Sequence, residues 1–349
     1  MRSTAHTSLT VITARASLRA LLLASLSLGH AAAGCSDAGG ASTAKSVVFD
    51  TDWGPDVDDV GALAVLHALA DNGEVEILGI AISFKGDAGP TSIDAFNTFH
   101  GRPNIPIATL DNESPDTIGY RIAIADGLPY DIRDEDVEDP VSLYRRILAS
   151  QPDGSVTIIS VGFLTNLAAL LRSEADRWSP LSGLELVERK VESYVQMGGR
   201  FPEMVGGDYN LGLDVTSRHA VLSSWPTPIL FSGGEIGDEI ITGTERLRDA
   251  TEAENPTRRA YEVFNDFAGR FSWDQTAVLA GVRGPAPHWD LVDEGSFVYD
   301  SDGAYRWLES PDADHSYLVA REPIASVEEF IERLMSKAPG IALDPDLQP

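Results

Sequence analysis

Five aspartates fall within ten residues in Asp50-Thr51-Asp52-Trp53-Gly54-Pro55-Asp56-Val57-Asp58-Asp59. Carboxylates so close together cost electrostatic energy unless a cation or protons offset them. Hard oxygen donors suit Ca²⁺, which takes about 6–8 oxygens at roughly 2.3–2.6 Å. The loop directly follows the apolar run Ser46-Val47-Val48-Phe49. In open α/β sheets, ligands bind at the carboxyl ends of strands.

Several readings of the loop compete. An EF-hand counted from Asp52 requires Gly at its sixth position and Glu at its twelfth, where Val57 and Leu63 stand. A haloacid-dehalogenase-type phosphatase opens with a strand and Asp-x-Asp, which Asp50 and Asp52 satisfy. That family's acidic pair is distant in sequence, whereas here Asp58-Asp59 lies in the same loop, so this reading is the weaker alternative. A purely structural acidic turn is the bland option.

The elements around the loop give it a frame. Val60 to Ala70 has helical character and Val75 to Ile82 reads as a near-continuous apolar strand, a strand–loop–helix–strand unit typical of a parallel sheet covered on both faces. The pattern recurs, with helices over 93–100, 141–149, 164–171, 217–223, 257–267, 273–280 and 327–335. Strands are predicted at 105–108, 156–161, 194–197 and 229–232, and a hairpin near 296–307. This alternation is α/β. The expected organisation is one domain over 46–340 and a tail over 341–349.

Segments far from the loop share its pattern with a known family. The loop resembles the Asp-Thr-Asp-x-Gly…Asp-Asp motif of nucleoside hydrolases, in the branch with two extra residues before the acidic pair. Val161-Gly162-Phe163-Leu164-Thr165-Asn166, Met197-Gly198-Gly199, Asp208-Tyr209-Asn210, Phe231-Ser232-Gly233 and Ser272-Trp273-Asp274 match later family segments in order. The resemblance implies a single Rossmann-like domain with a mostly parallel central sheet flanked by helices. It also implies Ca²⁺-dependent hydrolysis of an N-glycosidic bond in a nucleoside or related ribosyl compound. Carried over residue by residue, the ligands are Asp52, Asp59, the carbonyl of Val161 and Asp274. Asp58 matches the general base, and a metal-bound water beside it would supply the nucleophile. Asn210 matches a ribose-binding Asn, and Asp208 stands where the family usually has Glu. Asp56 belongs to the two-residue insertion and has no assigned role; Asp50 supports the loop. Asp274 also fits a helix N-cap, and Asn166 reads as a turn residue. A homodimer or homotetramer is the family expectation.

Two positions depart from the family. Trp273 replaces a His that helps protonate the leaving base, so Trp273 is read as a ring that stacks on the ligand. The family's Gly-Asn after the second strand appears as Lys85-Gly86-Asp87, where Asp87 is placed to accept bonds from a sugar diol. These departures motivate the alternative of a non-catalytic or differently specific sugar-binding surface lipoprotein.

Composition bounds the partners. With 54 Asp and Glu against 26 Lys and Arg, the formal charge is -28, which repels phosphate backbones and argues against nucleic acid. Residues 1–34 read as a signal peptide, with Arg2, Arg15 and Arg19 before the short apolar run Leu21 to Leu28. Ala32-Ala33-Gly34-Cys35 resembles a lipobox containing the single cysteine, and 35–45 reads as a flexible tether. The expectation is an exported protein, periplasmic or at the cell surface, touching the membrane only through a lipid on Cys35.

Overall fold

The β-branched run after Lys45 does form a strand, and its alternation puts Val47 and Phe49 in one core and Val48 in another. The computed structural model describes residues 44–84, 86–110, 118–202, 208–299, 305–311, 313–321 and 323–348. The signal peptide, Cys35, all but the end of the tether and Lys85 lie outside the described residues. No helix among the described residues is long and apolar enough to cross a membrane.

Along the chain, β1 (Lys45–Thr51), α1 (Asp58–Asp71), β2 (Val75–Ile82), α2 (Gly89–Phe99) and β3 (Ile107–Thr109) come first. Helices α3 (Gly119–Ala125) and α4 (Pro140–Ser150) precede β4 (Val156–Ser160), and α5 (Thr165–Arg172) and α6 (Gly183–Lys190) precede β5 (Val191–Met197). Next come α7 (Tyr209–Leu213), α8 (Val215–Ser224), β6 (Ile229–Ser232) and α9 (Gly234–Gly237). The segment β7 (Ile241–Thr244), α10 (Glu245–Ala250), α11 (Pro256–Asn265) and β8 (Ala268–Phe271) follows, then α12 (Trp273–Arg283). The chain closes with β9 (Trp289–Tyr299), β10 (Tyr305–Glu309), β11 (His315–Ala320) and α13 (Ile324–Met335).

The main sheet has the order β10-β9-β11-β6-β5-β4-β1-β2-β3. Pairs from β11 through β3 are parallel, while the β11–β9 and β9–β10 pairs are antiparallel. The chain builds outward from β1 to β2 and β3, then returns to the other side of β1 with β4, β5 and β6. The order therefore reverses between β1 and β4, and a crevice opens at such a switch point. Helix α1 is apolar on all sides and buried from Asp58 through Leu69, packed against α12 and α13. Its burial carries Asp58 and Asp59, at its first turn, into that crevice.

The chain end differs from expectation. Leu343 and Leu347 are 5% and 1% exposed and belong to the core around α1 and α13, and Gln348 exchanges hydrogen bonds with Asn72. Residues 341–348 are thus part of the fold and not a tail, because two leucines spaced four apart find apolar cover. The helices α3, α6, α7, α9 and α10, the antiparallel β7–β8 pair and β11 were not predicted; each is short, at most eight residues long.

Candidate active site

The acidic loop is shaped by its own backbone. Asp59 accepts from the Thr51 hydroxyl and from the Trp53 and Gly54 amides at 3.1 and 3.4 Å. Trp53 takes a left-handed φ of 47°, and its indole Nε1 donates to Ser92 Oγ at 2.9 Å. Helix α3 secures two of the loop's carbonyls: the buried Arg121 donates to Trp53 O through Nε at 2.6 Å and also through Nη2, while Tyr120 donates to Gly54 O at 2.8 Å. Below the loop Asp50 is buried on β1, accepting from Tyr144 at 2.8 Å and Asn166 at 3.0 Å; burial pushes its carboxyl up to about 7 against those bonds. Asn166 is therefore a brace for Asp50, not merely a turn residue.

Gly162 explains how the β4 end reaches this loop. A Cβ there would lie 2.4 Å from Asp52 N and 2.7 Å from the Thr51 carbonyl carbon, backbone atoms that cannot step aside. Val161 N then donates to Asp50 O at 2.7 Å, which fixes the Val161 carbonyl beside the loop.

Asp58, Asp59 and Asp274 each present a carboxylate oxygen within 4.8 Å of the others, and all three are buried. Asp274 lies in the first turn of α12, where Ser272 holds the N-cap position, so it does not cap that helix. Asp52 lines the same cavity at 5% exposure but stands outside this group of three. Burial raises the Asp52 carboxyl well above the ordinary range, and the charges of Asp59 and Asp58 add to it. Asp58 is raised by burial, then by Asp56 and Asp59. Asp274 is raised by burial, then by Asp58, Asp59 and Asp52, and Asp59 stands at about 6, mainly through burial. Buried like charges of this kind call for a cation. The available donors are carboxylate oxygens plus the Val161 carbonyl, a hard oxygen set that fits Ca²⁺.

The cavity measures about 480 Å³ and is lined by all four of these aspartates. Val161, Asp208, Asn210 and Trp273, singled out from the sequence, line it too. Asn210 donates to Val161 O at 2.8 Å and Met197 O at 3.3 Å, and Asp208 accepts from the Gly199 and Leu211 amides at 2.7 and 2.6 Å. Both thus hold the wall together as well as facing the cavity. Asp87 does not join them: it is exposed in the turn before α2 and is not among the lining residues. Sequence reasoning missed Arg270, Arg200, Tyr209 and Phe264 in the lining. Arg270 binds Asp56 through Nε, at 2.9 Å to both carboxylate oxygens, and through Nη2, which gives the inserted Asp56 its partner. An unpaired acid in an insertion beside the site was the available signal for such a cation.

Residues 47–301 match the inosine-uridine preferring nucleoside hydrolase family. The chain belongs to that family. Nucleoside hydrolase structures share its fold: the purine-preferring ribonucleoside hydrolase of Gardnerella vaginalis has a TM-score of 0.63 at 18% identity, over 83% of this chain and 98% of that one. The inosine-uridine preferring nucleoside hydrolase of Bacillus anthracis has a TM-score of 0.60 at 16% identity, over 84% and 99%. An uncharacterized protein of Schizosaccharomyces pombe is 27% identical over 221 residues, a match that spans 58% of this chain and 64% of that relative.

Proposed function

We propose that the cavity hydrolyses the N-glycosidic bond of a nucleoside or related ribosyl compound. The observation that carries this reading is the buried cluster of Asp58, Asp59 and Asp274 at the β1/β4 switch point of a nucleoside hydrolase family chain. Asp52, Asp59, Asp274 and the Val161 carbonyl would hold Ca²⁺. When bound, the ion supplies positive charge that acidifies a neighbouring water and orients the vicinal hydroxyls of the sugar.

Asp58 takes the proton of the attacking water; its burial makes it a stronger base than an exposed carboxylate. The water oxygen bonds to the anomeric carbon as the bond to the leaving nitrogen breaks, through an oxocarbenium-like state. Asn210 and Asp208 fix the wall around the sugar, and Tyr209, Phe264 and Trp273 add aromatic surface to the cavity lining on the side of the base. The leader and the Ala32-Ala33-Gly34-Cys35 run support export with a lipid on Cys35, which metabolic lipid labelling of the parent and of Cys35→Ala tests.

The decisive experiment is ribose release from a panel of purine and pyrimidine nucleosides with Ca²⁺ present. Asp58→Asn should lower kcat/KM by about 10²- to 10⁴-fold with its circular dichroism unchanged. No turnover across the panel by calcium-loaded protein sinks the proposal. Ligand stabilisation without product would mark a sugar-binding protein instead.

A further inference from the structure

Trp273 occupies the position where the resemblance places a proton-donating His, and the structure shows it cannot take over that task. Its Nε1–H is committed to Asp238 Oδ1 at 2.8 Å and Gly234 O at 3.1 Å, and Asp238 is itself held by Arg200 Nη1 at 2.5 Å. The indole is therefore a fixed platform. The Arg270 guanidinium lies over it, 4.7 Å from the ring centroid, a spacing at which cation and ring attract. Asp56 grips the same guanidinium through Nε and Nη2, and Nη1 lies outside that pair. Asp56, Arg270 and Trp273 all line the cavity that holds the carboxylate cluster. The carboxylate on one side and the indole on the other set the fork's plane, which a freely moving surface arginine would lack.

We propose that Arg270 is the leaving-group electrophile of this site, positioned by Asp56 and Trp273. This rests on the hydrolase reading above. An arginine does not give up its proton in proteins, so the assistance is electrostatic and not acid catalysis. In the step, the water oxygen bonds to the anomeric carbon and its proton passes to Asp58. The electron pair of the breaking C–N bond moves onto the heterocycle, which departs as an anion hydrogen-bonded by the guanidinium. Solvent then protonates the released base and Asp58 returns its proton to solvent, so riboside plus water gives ribose plus neutral base. The site thereby selects leaving groups that spread negative charge onto an acceptor oxygen within reach of Arg270.

The test compares two substrates that differ in how much help their leaving group needs, inosine and 4-nitrophenyl β-D-ribofuranoside. Arg270→Gln should lower kcat/KM for inosine by about 100-fold and leave the nitrophenyl riboside within about threefold. Arg270→Lys should restore part of the inosine activity. Asp56→Asn, which leaves a single acceptor oxygen and removes the charge that fixes the fork, should cost about tenfold on inosine alone. Hypoxanthine gives a readout free of turnover: it should raise the melting temperature of the parent and not of Arg270→Gln. Equal losses on both ribosides, or equal stabilisation of parent and variant by hypoxanthine, overturn the inference. A parent that hydrolyses neither substrate overturns the hydrolase reading itself, and this inference with it.

Discussion

The cavity has two charged walls built on opposite terms. At the ends of β1 and β4, Asp52, Asp58, Asp59 and Asp274 are 2–5% exposed and carry charge of one sign. Around Trp273 the charges come as pairs, Asp56 with Arg270 and Asp238 with Arg200, with side chains 26–33% exposed. Uncompensated buried charge is costly and marks a place completed by something that is not protein. Paired, half-exposed charge costs little and leaves fixed donors ready for a ligand. One wall gathers carboxylates without a cationic partner side chain among them; in the other, each carboxylate has its guanidinium.

The largest effect should come from breaking the first wall. Asp274→Ala removes an oxygen donor, so activity should fall by at least about 10³-fold. The parent at a hundredfold excess of Ca²⁺ over its Kd should gain about 2.7 kcal/mol of stability, and the variant none at the same concentration. Calorimetric melting with Ca²⁺ or chelator checks this; equal stabilisation of both proteins would erase the distinction between the walls.

The second wall makes a pH prediction. Asp58, in the first wall, must be ionised to accept a proton, so activity is lost as pH falls and that carboxylate is protonated. Arg270 does not titrate, so no loss should follow on the alkaline side up to about pH 9. An alkaline limb in kcat/KM would place a proton donor in the site. Trp273→His sharpens the same point: a side chain with an ordinary pKa near about 6.5 should create the missing alkaline limb and change kcat by about tenfold. The smallest effect belongs to Arg200→Gln, which breaks a third-exposed pair and should cost about 0–1 kcal/mol in denaturant melts. A loss as large as that at Asp274 would show that this wall also bears buried strain.

What could be read in the sequence follows the reach of each interaction. The acidic loop was legible because its aspartates are contiguous and follow an apolar strand. Asp274 was legible through the ordered run of family segments. Arg270 was not, since its meaning arises only on meeting Asp56, 214 positions away. Arg121, which secures the Trp53 carbonyl across 68 positions, was missed for the same reason. Asp87 was expected at the sugar because of its place after β2, but the turn leaves it in solvent. Strands rich in Val and Ile were found readily; α3 and the β7–β8 pair owe their form to neighbours and carry little pattern of their own.

The position of β11 has a consequence for how the protein must be made. This strand sits between β6 and β9, pairing in parallel with β6 through His315, Ser316 and Tyr317. On a ribosome that releases residues in order, β6 emerges long before its second neighbour exists. Until His315–Ala320 arrives, one edge of β6 offers open amides and carbonyls to any passing strand. A chain broken off between Tyr299 and His315 would keep every aspartate of the site and still be an adhesive fragment, so intact translation to the last strand protects against aggregation.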